Sequence, residues 1–343
     1  MLHIALTSRE FKSLSKGLIY NDIHFTFNRR RHEINGSLIN QLLNDSNLRA
    51  KVRCVKILWA PNARLQPGEG SKEDLELFGQ VLPELVGLRT FIWDAQYPIL
   101  FWLLEALHAY HPRSKLYIRQ PPCQDAARAL SRLCHIPCLS SLDVVLEPGQ
   151  FQASRELEKV LLSSPIQDLA IMSPNHTPLQ SLLNTSIPLQ LRSLEVVGFA
   201  FDIYSLPIIW SQFDRLVTNI SNLVPEIHSR LDELKSLELV CQDGVGRAGL
   251  ENLLRNFLSL ETLNLTGFKR SVQDWGVFQW QSLGRTLMKL RLHEEGGPNG
   301  ENATSMYPDS TMVLIARECP KLRSLGTDLD YDGSCASFVS CIF

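Results

Sequence analysis

Apolar and polar residues alternate in short runs that return along the chain at a near-constant interval. Leu191-Arg192-Ser193-Leu194-Glu195-Val196 is one such run and Leu260-Glu261-Thr262-Leu263-Asn264-Leu265 another. Alternation of this kind predicts a short strand with one face on a core and the other in solvent. Aligned on the residue that opens each strand, the copies fall at Phe91, Leu116, Leu142, Leu169, Leu194, Leu237, Leu263, Leu290 and Leu325. Between them the apolar spacing turns helical, as at Leu157, Val160, Leu161 and Leu162, or at Leu250, Leu253, Leu254, Phe257 and Leu258.

The intervals between copies are 25, 26, 27, 25, 43, 26, 27 and 35 residues, so six of the eight lie within two of 26. That period falls in the range of roughly 20 to 29 of leucine-rich repeats. The expected class is α/β, a leucine-rich-repeat solenoid with a parallel concave sheet and helices on the convex side. No single strand is long enough to be stable. Stacked in parallel, the strands satisfy one another's backbone groups and merge their apolar faces into one core. Two intervals depart from the period. The gap of 43 contains Phe213-Asp214-Arg215-Leu216-Val217-Thr218-Asn219-Ile220, either a degenerate copy or part of one long convex insertion. The gap of 35 holds the glycine-rich run Glu294 to Asn302, which reads as a loop. An earlier copy is expected around Val52, Val55 and Ile57.

Composition narrows the function classes. A net charge of −2 over 343 residues gives no electrostatic footprint for nucleic acid or for an anionic membrane. The basic run Asn28-Arg29-Arg30-Arg31-His32 reads as a solvated turn. The apolar stretch Pro98 to Leu104 meets Glu105 far short of the roughly 20 residues of a membrane helix, and is expected as a buried convex helix. Met1 to Leu6 runs at once into Thr7-Ser8-Arg9-Glu10, so no secretory signal is read and a cytoplasmic or nuclear location is expected. The eight cysteines follow no framework spacing and should be reduced. Seven Asn-x-Ser/Thr triplets, at Asn35, Asn44, Asn175, Asn184, Asn219, Asn264 and Asn302, weigh against that location, although Asn264 lies in a strand.

Motifs for chemistry are sparse. Gly244-Val245-Gly246-Arg247-Ala248-Gly249 has the G-x-G-x-x-G form between a strand and a helical run. The next strand carries no acidic residue to hold a ribose, so the glycines read as a tight strand-to-helix turn. Cys134-His135-Ile136-Pro137-Cys138 with Cys123, or His108 with His111, could be proposed as metal ligands, but neither set has paired C-x2-C spacing. Neither a nucleophile elbow, a phosphate loop nor an H-E-x-x-H pair occurs. The expectation is a chain without catalytic activity, cofactor or metal.

What remains is the concave sheet face. The residue between the last two apolar positions of each copy points away from the core, and in order these are Ile92, Tyr117, Asp143, Ala170, Glu195, Glu238, Asn264, Arg291 and Gly326. Asp143, Glu195 and Glu238 give this row an acidic middle suited to a protein partner with a basic patch, with Ile92 and Tyr117 as apolar anchors. Near the end, Lys289, Arg291 and His293 form a basic strand. An ordinary solvated face is the other reading of the same row. The expected site is therefore Ile92, Tyr117, Asp143, Glu195, Glu238, Asn264, Arg291 and His293, on a monomer.

Three stretches resemble the irregular leucine-rich-repeat proteins of filamentous fungi that begin with an F-box. Leu290-Arg291-Leu292-His293-Glu294, and then Cys319-Pro320-Lys321-Leu322-Arg323-Ser324-Leu325 through Leu329, are similar to their closing repeats. Ile4 to Leu14 followed by Leu18 to Phe25 is similar to the last F-box helix and the first strand beyond it. The resemblance implies residues 1–25 as a remnant of an F-box-like helix and linker, and 26–343 as the solenoid. It also implies docking on a Skp-type adaptor of a cullin ubiquitin ligase while the repeats hold a substrate. The Leu-Pro-x-Glu opening and two further F-box helices are absent from the sequence, and Phe199, Phe268 and Gln242 stand where the family's Asn or Cys is usual. The alternative is an interaction scaffold with no ligase role; a nucleotide-dependent enzyme built on Gly244 to Gly249 is a third, weaker one.

Overall fold

In the computed structural model the residues described are 20–27, 32–59, 69–95, 98–120, 125–134, 136–147, 149–172, 188–197, 206–219, 231, 233–240, 250, 253–255, 257–267, 280, 283–293 and 309–327. Within each of two compact units their strands are parallel and lie side by side in the order of the sequence. The chain is an α/β leucine-rich-repeat solenoid, and it divides into two compact units, Met1–Ile171 and Met172–Phe343.

The first unit holds β1 (Asp22–Phe27), β2 (Cys54–Trp59), β3 (Thr90–Asp94), β4 (Lys115–Gln120), β5 (Leu139–Val145) and β6 (Asp168–Met172). Between them run α1 (His32–Asn44), α2 (Ser46–Arg49), α3 (Glu69–Val81), α4 (Phe101–Tyr110), α5 (Ala126–Ser131) and α6 (Phe151–Ser163). The second unit holds β7 (Ser193–Val197), β8 (Arg215–Asn219), β9 (Ser236–Val240), β10 (Thr262–Thr266), β11 (Lys289–His293), α7 (Asp309–Glu318) and β12 (Ser324–Thr327).

All nine strands expected from the leucine period are present, and the copy expected around Val55 is β2. The gap of 43 contains β8, which settles it as a degenerate copy rather than an insertion. Its pattern was broken in sequence because Thr218, fully buried, takes the place of the last leucine. A further strand, β1, precedes β2 and overlaps the end of the Leu18 to Phe25 stretch. Stacking has a visible backbone basis. Two consecutive N–H groups at the start of a strand donate to one carbonyl of the preceding copy: Arg53 and Cys54 to Asn21, Arg89 and Thr90 to Arg53, Glu261 and Thr262 to Lys235, Met288 and Lys289 to Glu261.

In the first unit inward residues of the strands meet the helices. Phe78 of α3 packs on Phe25 of β1 and Phe91 of β3, with ring centroids 5.1 and 6.4 Å away. Gly79, one residue on, lies against the Trp102 ring of α4, where a Cβ would come within 2.9 Å. In α6 the expected Leu157, Val160 and Leu161 are buried. The Pro98–Leu104 stretch runs into α4, which begins at Phe101, but only one side of the helix is covered: Leu103, Leu104 and Leu107 are buried while Phe101 and Trp102 are exposed. Leu258, placed on a buried helical stripe by its spacing, is 70% exposed. No helix of the described residues is long and apolar enough to cross a membrane.

Candidate functional site on the helix-free sheet face

In the first unit the register sets which side chains share a row. Ile92 pairs with Tyr117, as the sequence predicts, but Tyr117 then pairs with Ser141, and Asp143 pairs with Arg119. The expected row through Ile92, Tyr117 and Asp143 is therefore broken. Leu142 pairs with Ile118 rather than Leu116, and a bulge precedes it. Leu139 and Leu142, three apart, are both fully buried, which a regular two-residue alternation cannot achieve; an extra residue at Ser140 to Ser141 absorbs the mismatch. Leu116 faces Leu139, Leu142 faces Ile118, and Asp143 stands two residues beyond its expected partner, opposite Arg119.

That shift places Asp143 in a second row, with Asp94 and Arg119. Lys56 Nζ stands 3.4 Å from Asp94, Asp94 3.5 Å from Arg119, and Arg119 Nε 3.0 Å from Asp143. Charges thus alternate across four strands, Lys56, Asp94, Arg119, Asp143. One outward residue per copy does not include Arg119, which stands two positions beyond Tyr117. Asp143 is not a bare acid. Burial nonetheless raises its carboxyl above the usual range, and Asp94 adds to this; Arg119 pulls the other way.

Beside this ladder lies a shallow depression of about 330 Å³, lined by Ile92, Tyr117, Ser141, Asp94, Arg119 and Asp143 over the backbone of Trp93 and Ile118. Three of the expected site residues, Ile92, Tyr117 and Asp143, thus come together here after all, on different rows. Tyr117 is half-buried, and its phenol is pushed up by burial, then by the charge of Asp168 and by Cys54. The Gln167 N–H donates to the Ser140 carbonyl at 2.9 Å, which sets Asp168 alongside Ser141. Ala170 follows two residues later on β6.

In the second unit one row runs Glu195, Val217, Glu238, Asn264, Arg291, Gly326. Val217 replaces a polar residue between the two glutamates and is 3% exposed. Arg215 spans it. One guanidinium nitrogen stands 3.7 Å from Glu195 and 4.0 Å from Glu238, while the other donates to Ser193 Oγ. Asn264 Nδ2 donates to Glu238 at 3.3 Å. The stem of Arg291 lies over Gly326, close enough that a Cβ there would touch it at 3.4 Å. Both glutamates expected to be acidic contacts are therefore held by a neighbouring arginine, and the face is of mixed charge. His293 ends β11, and its side chain lies outside the described residues.

His111 is buried, and its Nε2–H donates to the Leu82 carbonyl at 2.7 Å, whereas His108 is exposed, so the two do not form a pair. No cluster of metal-ligand type occurs among the described residues. Cys54, Cys134, Cys138 and Cys319 are free thiols held above their ordinary pKa by burial, Cys319 at about 11, so none of these offers a thiolate at neutral pH. Of the Asn-x-Ser/Thr sites, Asn219 is buried in β8 and Asn264 sits in β10. Gly244 to Gly249, Cys123, His135, Glu294 to Asn302, residues 28–31 of the basic run and residues 1–19 of the F-box-like stretch lie outside the described residues. In comparisons with known proteins, no family model and no curated protein matches the chain.

Proposed function

We propose that this chain is a non-catalytic protein-binding repeat whose partner seats on the helix-free sheet face of the Met1–Ile171 unit. One observation carries the reading: Ile92 and Tyr117 stand half-exposed in a depression rimmed by fixed charges. An amphipathic aromatic beside pre-paired charges is the composition of an interface centre, where a few anchors supply most of the affinity. The ladder of Lys56, Asp94, Arg119 and Asp143 is already held in place, so little ordering is left to pay on binding.

The finer form of the proposal is a substrate receptor of a cullin-type ubiquitin ligase, working in the cytoplasm or nucleus. It rests on the resemblance of the amino-terminal stretch and of Cys319 to Leu329 to F-box repeat proteins. In that form a Skp-type adaptor would take the amino-terminal stretch and the sheet face the target. The alternative is a stand-alone scaffold, and co-expression separates them: co-purification with a Skp adaptor makes the chain a receptor, and its failure leaves the scaffold. The binding face itself is tested by Tyr117→Ala. This variant should weaken protein capture by about tenfold or more, whereas Phe151→Ala, at a 67% exposed site on α6, should leave capture unchanged. Equal capture by both variants would reject this face.

A further inference from the structure

We propose that the open face of β10 to β12 in the Met172–Phe343 unit binds an acidic, extended segment of a partner protein, with Lys289 and Arg291 receiving two of its carboxylates. None of the residues involved belongs to the first unit, so the binding face proposed there stands or falls separately.

Unpaired charge is the first argument. Lys289 and Arg291 are exposed and leave β11 on the same side, two residues apart. Neither takes part in an ion pair or a side-chain hydrogen bond among the described residues. The other charges described on this unit's strand faces are matched: Arg215 lies against Glu195 and Glu238 at 3.7 and 4.0 Å. The strands beside β11 bring no acid to its two cations. Thr262 and Ser324 stand opposite Lys289, and Asn264 and Gly326 opposite Arg291. Glu238, one strand beyond Asn264, is engaged by Arg215 and by Asn264 itself. Two like charges rooted about 6.6 Å apart on a strand repel each other, and an anion set against them removes that repulsion.

Shape is the second. Alternate side chains of an extended segment project to one side at the same spacing of about 6.6 Å, so two carboxylates separated by one residue can meet both cations. Ser324 and Gly326 of β12 are small, which leaves the face low beside β11. The Arg291 stem lies across Gly326, its Nε 3.4 Å from where a Cβ would stand, so the guanidinium is carried toward β12. Its planar fork is free there to receive a carboxylate through two hydrogen bonds. Nucleic acid is the poorer fit. Two cations cannot track a phosphate backbone, and β9 to β12 contain no Phe, Tyr or Trp on which a base could stack.

The test is fluorescence anisotropy of a labelled peptide of alternating aspartate and serine, about twelve residues long, titrated with the full chain at low ionic strength. Binding is expected, and a counterpart with asparagine for aspartate should bind about tenfold more weakly or worse. Lys289→Gln combined with Arg291→Gln should weaken the aspartate peptide about tenfold, with an unchanged melting temperature because both side chains are exposed. Arg285→Gln removes a charge from an exposed turn before β11 and should change the affinity less than about twofold. No measurable binding of the aspartate peptide, or an equal loss in the Arg285→Gln chain, would overturn the inference. So would tighter binding of single-stranded oligothymidylate through the same two cations, which would make this a nucleic-acid surface.

Discussion

At the scale of single residues, the register decides what each charge does. Asp143 sits where burial raises its carboxyl and Arg119 compensates only in part, so the folded state binds its proton more tightly than the unfolded chain does. A carboxyl raised in this way favours folding below its ordinary pKa and loses that contribution as pH rises through the folded value. Asp143→Asn should therefore be neutral to slightly stabilising at pH 7, and its advantage should fade on acidification toward pH 4 in urea melts. Marked destabilisation at pH 7 would mean that the Arg119 pair outweighs desolvation. His111 makes the opposite kind of contribution. Replacing it by Ala leaves the buried Leu82 carbonyl without its donor, at a cost of about 1–3 kcal/mol, read from the urea midpoint; no change would show that the 2.7 Å bond is dispensable.

At the scale of elements, the bulge in β5 is the feature that builds the site. The deletion of Ser140 removes the extra residue and still leaves Leu139 and Leu142 facing inward, now at regular spacing. This deletion should lower the melting temperature modestly and keep a cooperative transition. Deletion of Asn264 from the regular β10 turns one of Leu263 and Leu265 outward and should abolish the transition. The reverse order of severity would contradict the register described here. Legibility in the sequence divides along the same line. Strands with two leucines at alternate positions announced themselves through their period. β8 was legible only as one of two readings, because Thr218 replaces a leucine, and the bulge was not legible, because alignment on Leu142 ignored the equally buried Leu139 three residues before. The spacing of those two leucines was the available signal.

At the scale of the whole molecule, period alone established the architecture, because each copy needs only its neighbours to bury its apolar face. The chemistry of the face was less legible. Reading one outward residue per copy gave Ile92, Tyr117 and Asp143, three residues of the depression, but also an acidic row that Arg119 and Arg215 neutralise from other positions in their strands. Neither arginine could be assigned to those partners without knowing which residues stand opposite one another. The most direct measurement is site-specific photo-crosslinking in cells, with p-benzoylphenylalanine at Tyr117 on the sheet face or at His108 on α4. A discrete protein adduct at position 117 and none at 108 is the expected result. Adducts of equal yield at both positions, or at 108 alone, would contradict a partner seated on the sheet.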